Sequence, residues 1–267
     1  MSGFQVKSYT IRTKKLKIGC KLTLSLLADL HNHEYGLEND ELFQAVKEQK
    51  PDAILVAGDM LVSDSKISFE PAQKLLLKLQ EQVAPVYYGN GNHESRMHIR
   101  THIYGNLYEA FMEPLKRAGV YELVNKSTEL HASGGRILVH GYEMELGYYK
   151  KLRQVPFRDL DLKEALGTPD AEAYHILLAH NPVYFKHYAA WGADLTVSGH
   201  LHGGIIRMPL IGGVITPQAR LFPRYDRGLF WKDDKAMVVS PGLGTHTVNI
   251  RFMNPAWLIT IYLEGEA

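Results

Sequence analysis

Apolar positions along the chain change their period repeatedly. Residues 4–11 alternate polar and apolar (Phe4, Val6, Tyr9, Ile11), which predicts a strand, and residues 21–28 predict a second. Asn39 or Asp40 can cap a helix to about Gln49 with Leu42, Phe43 and Val46 inward, and Lys50-Pro51-Asp52 stops it. Residues 53–57 are wholly apolar, as in a strand covered on both faces. Pro71 opens a helix to about Gln82 with a buried stripe of Leu75, Leu76 and Leu79. Residues 85–88 predict a strand and 107–118 a helix, despite Pro114. Residues 120–124, 128–131 and 136–140 read as antiparallel strands, with a turn at Ser133-Gly134-Gly135. Residues 148–166 are polar and read as mostly helical. Strands at 175–179 and 195–198 flank a short helix at 182–190. The last third predicts strands at 229–231, 236–239 and 258–263, while Gly- and Pro-rich 203–227 reads as loop. Strand–helix alternation followed by antiparallel strands predicts an α/β fold of two packed sheets flanked by helices.

Composition narrows the class. A chain of 267 residues suits one large domain, and 45% apolar residues can fill its core. The net charge of +1 implies no broad attraction to nucleic acid or to an anionic membrane. Cys20 is alone, so no intrachain disulfide can form, which fits a reducing cytosol. Residues 1–19 show neither an apolar core segment nor a small-residue cleavage site, so no signal peptide is expected. No apolar run approaches the ~20 residues that span a bilayer. The expected location is therefore cytoplasmic.

Thirteen histidines are many for this length, and five of them fall in short polar blocks that each follow an apolar, β-prone run. The blocks are Asp29-Leu30-His31, Gly58-Asp59, Gly91-Asn92-His93-Glu94, Ala179-His180-Asn181 and Gly199-His200-Leu201-His202. In open α/β sheets, sites form beyond the carboxyl ends of strands. Two carboxylates, one amide and four imidazoles (Asp29, Asp59, Asn92, His31, His180, His200, His202) suit a dinuclear centre, in which a bridging carboxylate holds two ions that clamp a nucleophile and a phosphate. Asp29 and His31 are two apart and would face one way on a straight strand, as would His200 and His202. Gly58, Gly91 and Gly199 precede ligands where a Cβ would obstruct a tight turn. With no thiolate and much nitrogen, the set favours Mn, with Fe or Zn as alternatives, over Ca, Mg or a structural zinc site.

These blocks, in this order, resemble the calcineurin-like metallophosphoesterase family over residues 29–202. The resemblance implies the metallo-dependent phosphatase fold, a four-layer α/β/β/α sandwich of two mixed β-sheets flanked by helices. It assigns Asp29, His31 and His202 to one metal, Asn92, His180 and His200 to a second, and Asp59 to the bridge. It makes His93 a catalytic acid or phosphate-stabilising group, with Asp29 as its orienting partner. The motifs at Ser198–Gly204, Ile206-Arg207-Met208-Pro209, Arg227-Gly228-Leu229-Phe230 and Gly242-Leu243-Gly244-Thr245 look like a bacterial subgroup that includes UDP-2,3-diacylglucosamine diphosphatases. Glu94 stands where many relatives have Asp.

The expected protein is one domain over 1–267, with cap-like insertions around 95–110 and 141–167. It would hydrolyse a phosphomonoester, phosphodiester or pyrophosphate of a small phosphorylated substrate by in-line attack of a metal-bridging hydroxide. Arg96 and Arg207 are candidate substrate residues; the alternatives are an exposed helix face carrying Arg96, His98, Arg100 and His102, and a surface salt bridge at Arg207. His33, His140, His175 and His246 read as structural or solvated. A nuclease would want a long basic groove, so nucleic acid is an unfavoured substrate. A catalytically silent scaffold for protein partners would have lost ligands that this chain keeps.

Overall fold

The computed structural model describes residues 3–132, 134–150, 155–204, 206–208, 212–216, 221–245 and 251–267. The chain builds two six-stranded sheets packed face to face. The first holds β1 (Gln5–Thr13), β14 (Trp257–Gly265), β2 (Lys21–Leu27), β3 (Ala53–Ala57), β4 (Val86–Gly89) and β5 (Tyr121–Glu122), in that order. The second holds β12 (Gly228–Lys232), β13 (Lys235–Val239), β9 (Leu195–Ser198), β8 (Tyr174–Leu178), β7 (Ile137–Gly141) and β6 (Lys126–Leu130). Both are mixed: β2 through β5 run parallel and β14 opposes β2, while β13, β9, β8 and β7 run parallel between antiparallel β12 and β6.

Three apolar layers follow from period-two alternation along the strands. Leu24, Leu26, Ala53 and Leu55 of the first sheet meet Val139, Ile176, Leu178 and Val197 of the second. On its other face the first sheet presents Ile54, Val56 and Val86 to α1 (Asp40–Glu48), α2 (Glu70–Gln82) and α5 (Leu107–Arg117). The second sheet turns Leu177 toward α6 (Asp159–Leu166) and α7 (Phe185–Trp191), where Leu162, Tyr184 and Tyr188 cover it. The result is the expected α/β/β/α sandwich.

Three expectations are corrected. Residues 121–122 pair parallel with β4 in the first sheet, not antiparallel with β6, because the segment leaves α5 and returns beside the strand that α5 covers. The span 203–227 contains a hairpin of β10 (Ile206–Met208) and β11 (Gly212–Ile215), which its glycines and prolines obscured. Residues 146–149 form a 3-10 turn, and among the described residues of the following stretch the helix is confined to α6. Ser133, Pro209 and His246 lie outside the described residues.

Candidate metal centre

Five blocks converge where β2, β3, β4, β8 and β9 end. Asp29, Asp59, Asn92, His180 and His200 are buried, as is His31, while His202 is partly open. Their convergence does not come from straight strands. β2 stops at Leu27 and β9 at Ser198. Asp29, His31, Asp59, His200 and His202 all adopt left-handed backbone, with φ between 50° and 72°. Such conformations cost non-glycine residues of order 1 kcal/mol or more each and persist only where the surroundings impose them. The same-face argument for the two Asp/His-x-His pairs is thereby replaced by a sequence of left-handed turns.

The surroundings that impose them are visible. Leu243 N–H donates to Ala28 O at 3.0 Å and Gly244 N–H to Asp29 O at 2.6 Å, so the Gly242-Leu243-Gly244-Thr245 segment braces the first turn. Arg251 in turn donates to the carbonyl oxygens of Pro241, Gly242 and Gly244. Asn254 holds the second turn, its Nδ2 donating to His202 O at 2.5 Å and Gly204 O at 2.7 Å. Glu94 serves the third. Its carboxylate accepts from the backbone N–H groups of Asp59, Met60, Leu61 and Gly91 at 2.9–3.3 Å, and from Tyr88 Oη at 2.9 Å. Sequence reasoning passed over Arg251 and Asn254 and treated Glu94 as a mild variation. A Glu three residues after Gly91 is the sequence sign of a capping interaction, which the structure confirms on Gly91 N–H.

Ligand-type atoms cluster in three trios, each mutually within 4.8 Å: Asp29, His31 and His202; His31, Asp59 and His93; Asp59, His180 and His200. Asp59 belongs to two of them. His180 faces its Nδ1 to Ala57 O at 2.6 Å, a carbonyl that can only accept, which leaves Nε2 aimed at Asp59 Oδ2, 3.1 Å away. His31 Nδ1 lies 3.4 Å from Leu61 O, and its Nε2 meets His202 Nε2 at 3.2 Å and Asp29 Oδ1 at 3.7 Å. Asn92 places one end of its amide 2.9 Å from His200 Nδ1 and the other 3.2 Å from the Arg96 guanidinium; hydrogen bonding alone turns the nitrogen toward His200, whereas a cation at that point would favour the oxygen. Lone pairs facing lone pairs, with the second ring nitrogen of His180 and of His31 turned to a backbone carbonyl, is the arrangement that metal ligands adopt. The residues present fit a metal pair.

Electrostatics point the same way. Burial pushes Asp29 up to about 7 despite His180 beside it. Burial also opposes ionisation of Asp59, but His180, His93 and His31 hold it well below the ordinary carboxylate range. Burial would lower His180, yet Asp59 and Asp29 raise it to about 9. A proton on His180 thus does part of what a cation would do. Gly199 and Gly91 add steric room: a Cβ on Gly199 would overlap the Asp29 carboxylate, and one on Gly91 that of Asp59.

His93 sits at the edge of the cluster, at the start of α3 (Asn92–Ile99). Its N–H donates to Asp59 Oδ1 at 2.8 Å. Ser63 N–H donates to His93 Nδ1 at 2.8 Å, and Ser63 Oγ lies 3.0 Å from the same nitrogen. Asp29 accepts from His200 N–H at 3.0 and 3.1 Å. Arg96 reaches the site from the next turn of α3, its Nη1 3.5 Å from His93 Nε2. The basic face expected beyond it breaks at Arg100, where α3 gives way to α4 (Thr101–Tyr104). His98 stacks on Tyr108, with ring centroids 4.6 Å apart. Arg207 pairs with Asp226, and its Nη1 also donates to Gly203 O at 3.0 Å. That ion pair is largely buried rather than superficial. Tyr149 packs edge-on to His200 with centroids 4.9 Å apart.

A ring of imidazoles and carboxylates at the strand ends of an α/β/β/α sandwich defines the metal-dependent phosphoesterases. The chain's similarities agree. A calcineurin-like phosphoesterase family profile matches residues 22–204. The chain is 28% identical to an uncharacterized metallophosphoesterase of Aquifex aeolicus, over 98% of this chain and 92% of that one. It is 29% identical to phosphodiesterase YaeI of Escherichia coli, over 82% and 74% respectively. In fold it is similar to the phosphopantetheinyl hydrolase PptH of Mycobacterium tuberculosis, with a TM-score of 0.51, 16% identity, and coverage of 83% of this chain and 89% of that one. The chain belongs to the calcineurin-like phosphoesterase family and is a metal-dependent phosphoric ester hydrolase. The family implies a dinuclear divalent metal centre. No helix among the described residues is long and apolar enough to cross a membrane.

Proposed function

We propose that the chain hydrolyses a phosphomonoester, phosphodiester or pyrophosphate bond in a small phosphorylated substrate, with Mn as its preferred metal. Asp29, His31 and His202 would hold one ion, Asn92, His180 and His200 the other, and Asp59 both. Asp59 carries this reading, since its carboxylate belongs both to the cluster with His31 and His93 and to the cluster with His180 and His200. When bound, the two ions supply Lewis acidity that polarises a phosphoryl group and makes water nucleophilic near neutral pH. The protein's own groups do the rest. Because His93 Nδ1 accepts from Ser63 N–H, the neutral ring carries its proton on Nε2, where it can stabilise a phosphoryl oxygen and protonate a leaving oxygen. Arg96, beside that nitrogen, adds positive charge for the phosphate. The buried Tyr149 ring keeps water from one side of His200. Residues 1–267 act as one domain in this reading, with 95–110 and 141–167 shaping substrate access.

The test joins elemental analysis to hydrolysis of bis-p-nitrophenyl phosphate before and after chelation and Mn re-addition. The expected result is about two metals per chain and activity that Mn restores. Asp59→Asn should lose both metals, because one side chain serves each. Near-wild-type metal content in that variant would overturn the bridge, and wild-type protein without recoverable turnover would overturn the hydrolase.

A further inference from the structure

The turn that carries His200 and His202 has a second face. Leu201, between them and 1% exposed, also lines a separate cleft of about 610 Å³. That cleft lies between α7, the 221–225 segment and the edge strand β12. Its size falls in the range of small-molecule sites, roughly 300–1,000 Å³.

Among the described residues three cations line it, Lys186 from α7, Arg224 from the loop and Lys232 from β12, and no carboxylate does. Lys232 is paired with the exposed Asp233, 2.9 Å away, but Lys186 and Arg224 have no ion-pair partner among the described residues. The nearest acid in sequence, Asp226, is engaged with Arg207. The cleft therefore presents uncompensated positive charge, which favours an anion. Two aromatic side chains, Tyr225 and Trp231, stand in its walls. Trp231 is 50% exposed, offering an indole face to whatever enters. The Arg224 guanidinium lies 5.2 Å from the centre of the Tyr225 ring, and that ring is fixed edge-on against Phe185 and Phe230 at 5.8 and 5.2 Å. Cationic groups beside a free indole suit a planar ring that bears a phosphate.

We propose that this cleft is a second ligand site, distinct from the metal centre, that takes an aromatic phosphomonoester of nucleoside monophosphate size. Arg224 and Lys186 hold the phosphate and Trp231 stacks on the ring. The ligand would rest against Leu201, on the reverse of the turn that bears two histidines of the metal centre.

Isothermal titration of the metal-loaded protein with the hydrolysis-resistant phosphonate analogue of AMP tests this. Adenosine and inorganic phosphate serve as controls. The expected result is saturable binding that weakens at least about tenfold in Lys186→Ala/Arg224→Ala and in Trp231→Ala, but not in Trp231→Phe. Hydrolysis of bis-p-nitrophenyl phosphate should be unchanged in the double variant, whose substitutions are exposed and lie outside the histidine cluster. Binding that the double variant leaves intact would put the ligand elsewhere and overturn the site. Adenosine binding as tightly as the phosphonate, or no saturation below ~10 mM, would overturn it equally. None of these readings depends on the protein's turnover, so the site stands or falls apart from the hydrolase.

Discussion

The backbone N–H of Ser63 donates to Nδ1 of His93 at 2.8 Å, and this bond decides which nitrogen of His93 carries its proton. A main-chain donor cannot be removed by changing a side chain. Ser63→Ala should therefore keep the tautomer and reduce turnover by no more than a few-fold, while His93→Ala should lose about 10²- to 10⁴-fold. Metal content measured beside kcat separates the roles. Loss of metal in His93→Ala would make the residue structural.

Gly199→Ala tests the close approach behind Asp29. The added methyl has to displace either the Asp29 carboxylate or the turn that bears His200. We expect metal content to fall below one ion per chain, with the fold retained by circular dichroism. Two ions per chain would show that the turn yields without cost to the ligands.

Glu94→Gln replaces an acceptor oxygen with an amide nitrogen among four backbone donors and a phenol. At least one buried N–H loses its partner, which costs of order 1–3 kcal/mol. The denaturant midpoint should fall accordingly. An unchanged midpoint would mean that the loop at Asp59 is held without Glu94.

A second polar cluster sets an acid limit on stability. Ser127 Oγ lies 2.6 Å from His140 Nδ1, His140 Nε2 lies 2.8 Å from His175 Nδ1, and His175 Nε2 lies 2.6 Å from Asp170 O. Burial, then the neighbouring His175, lowers His140 to about 4. Below its ordinary 6.5 the unfolded chain takes up the proton first, so stability from this group is complete above about 6.5 and is lost as pH falls toward 4. The gap corresponds to roughly 3 kcal/mol at about 1.4 kcal/mol per pH unit. Urea midpoints between pH 7.5 and pH 4 should show a smaller decline in His140→Gln than in wild type, and parallel curves would sink the assignment.

The five ligand blocks were legible because each follows an apolar strand and begins or ends in residues with few structural uses there. β3 and β9 were legible to the residue, being short and apolar throughout. What could not be read was how the blocks converge. Left-handed backbone at Asp29, Asp59 and His202 leaves no trace in an apolar pattern, and its supports at Leu243, Arg251 and Asn254 lie far along the chain. The same distance hid the partner of Arg207: Asp226 is 19 residues on, across a hairpin whose glycines resembled loop. The partner of His93 was hidden for another reason, since a main-chain donor has no side-chain signature.

β14 lies between β1 and β2, pairing with β1 from Gln5↔Trp257 to Thr13↔Gly265. During synthesis, β2 must therefore keep an open edge until β14 has left the ribosome. The support for Asp29 from residues 243 and 244 arrives only shortly before. The nascent protein has every metal ligand in its sequence by residue 202 yet lacks the frame that turns two of its sheets into a closed sandwich. Metal capture is thus expected to wait until residues 257–265 have emerged and closed the sheet, and to be governed by the ions that the closed sandwich meets.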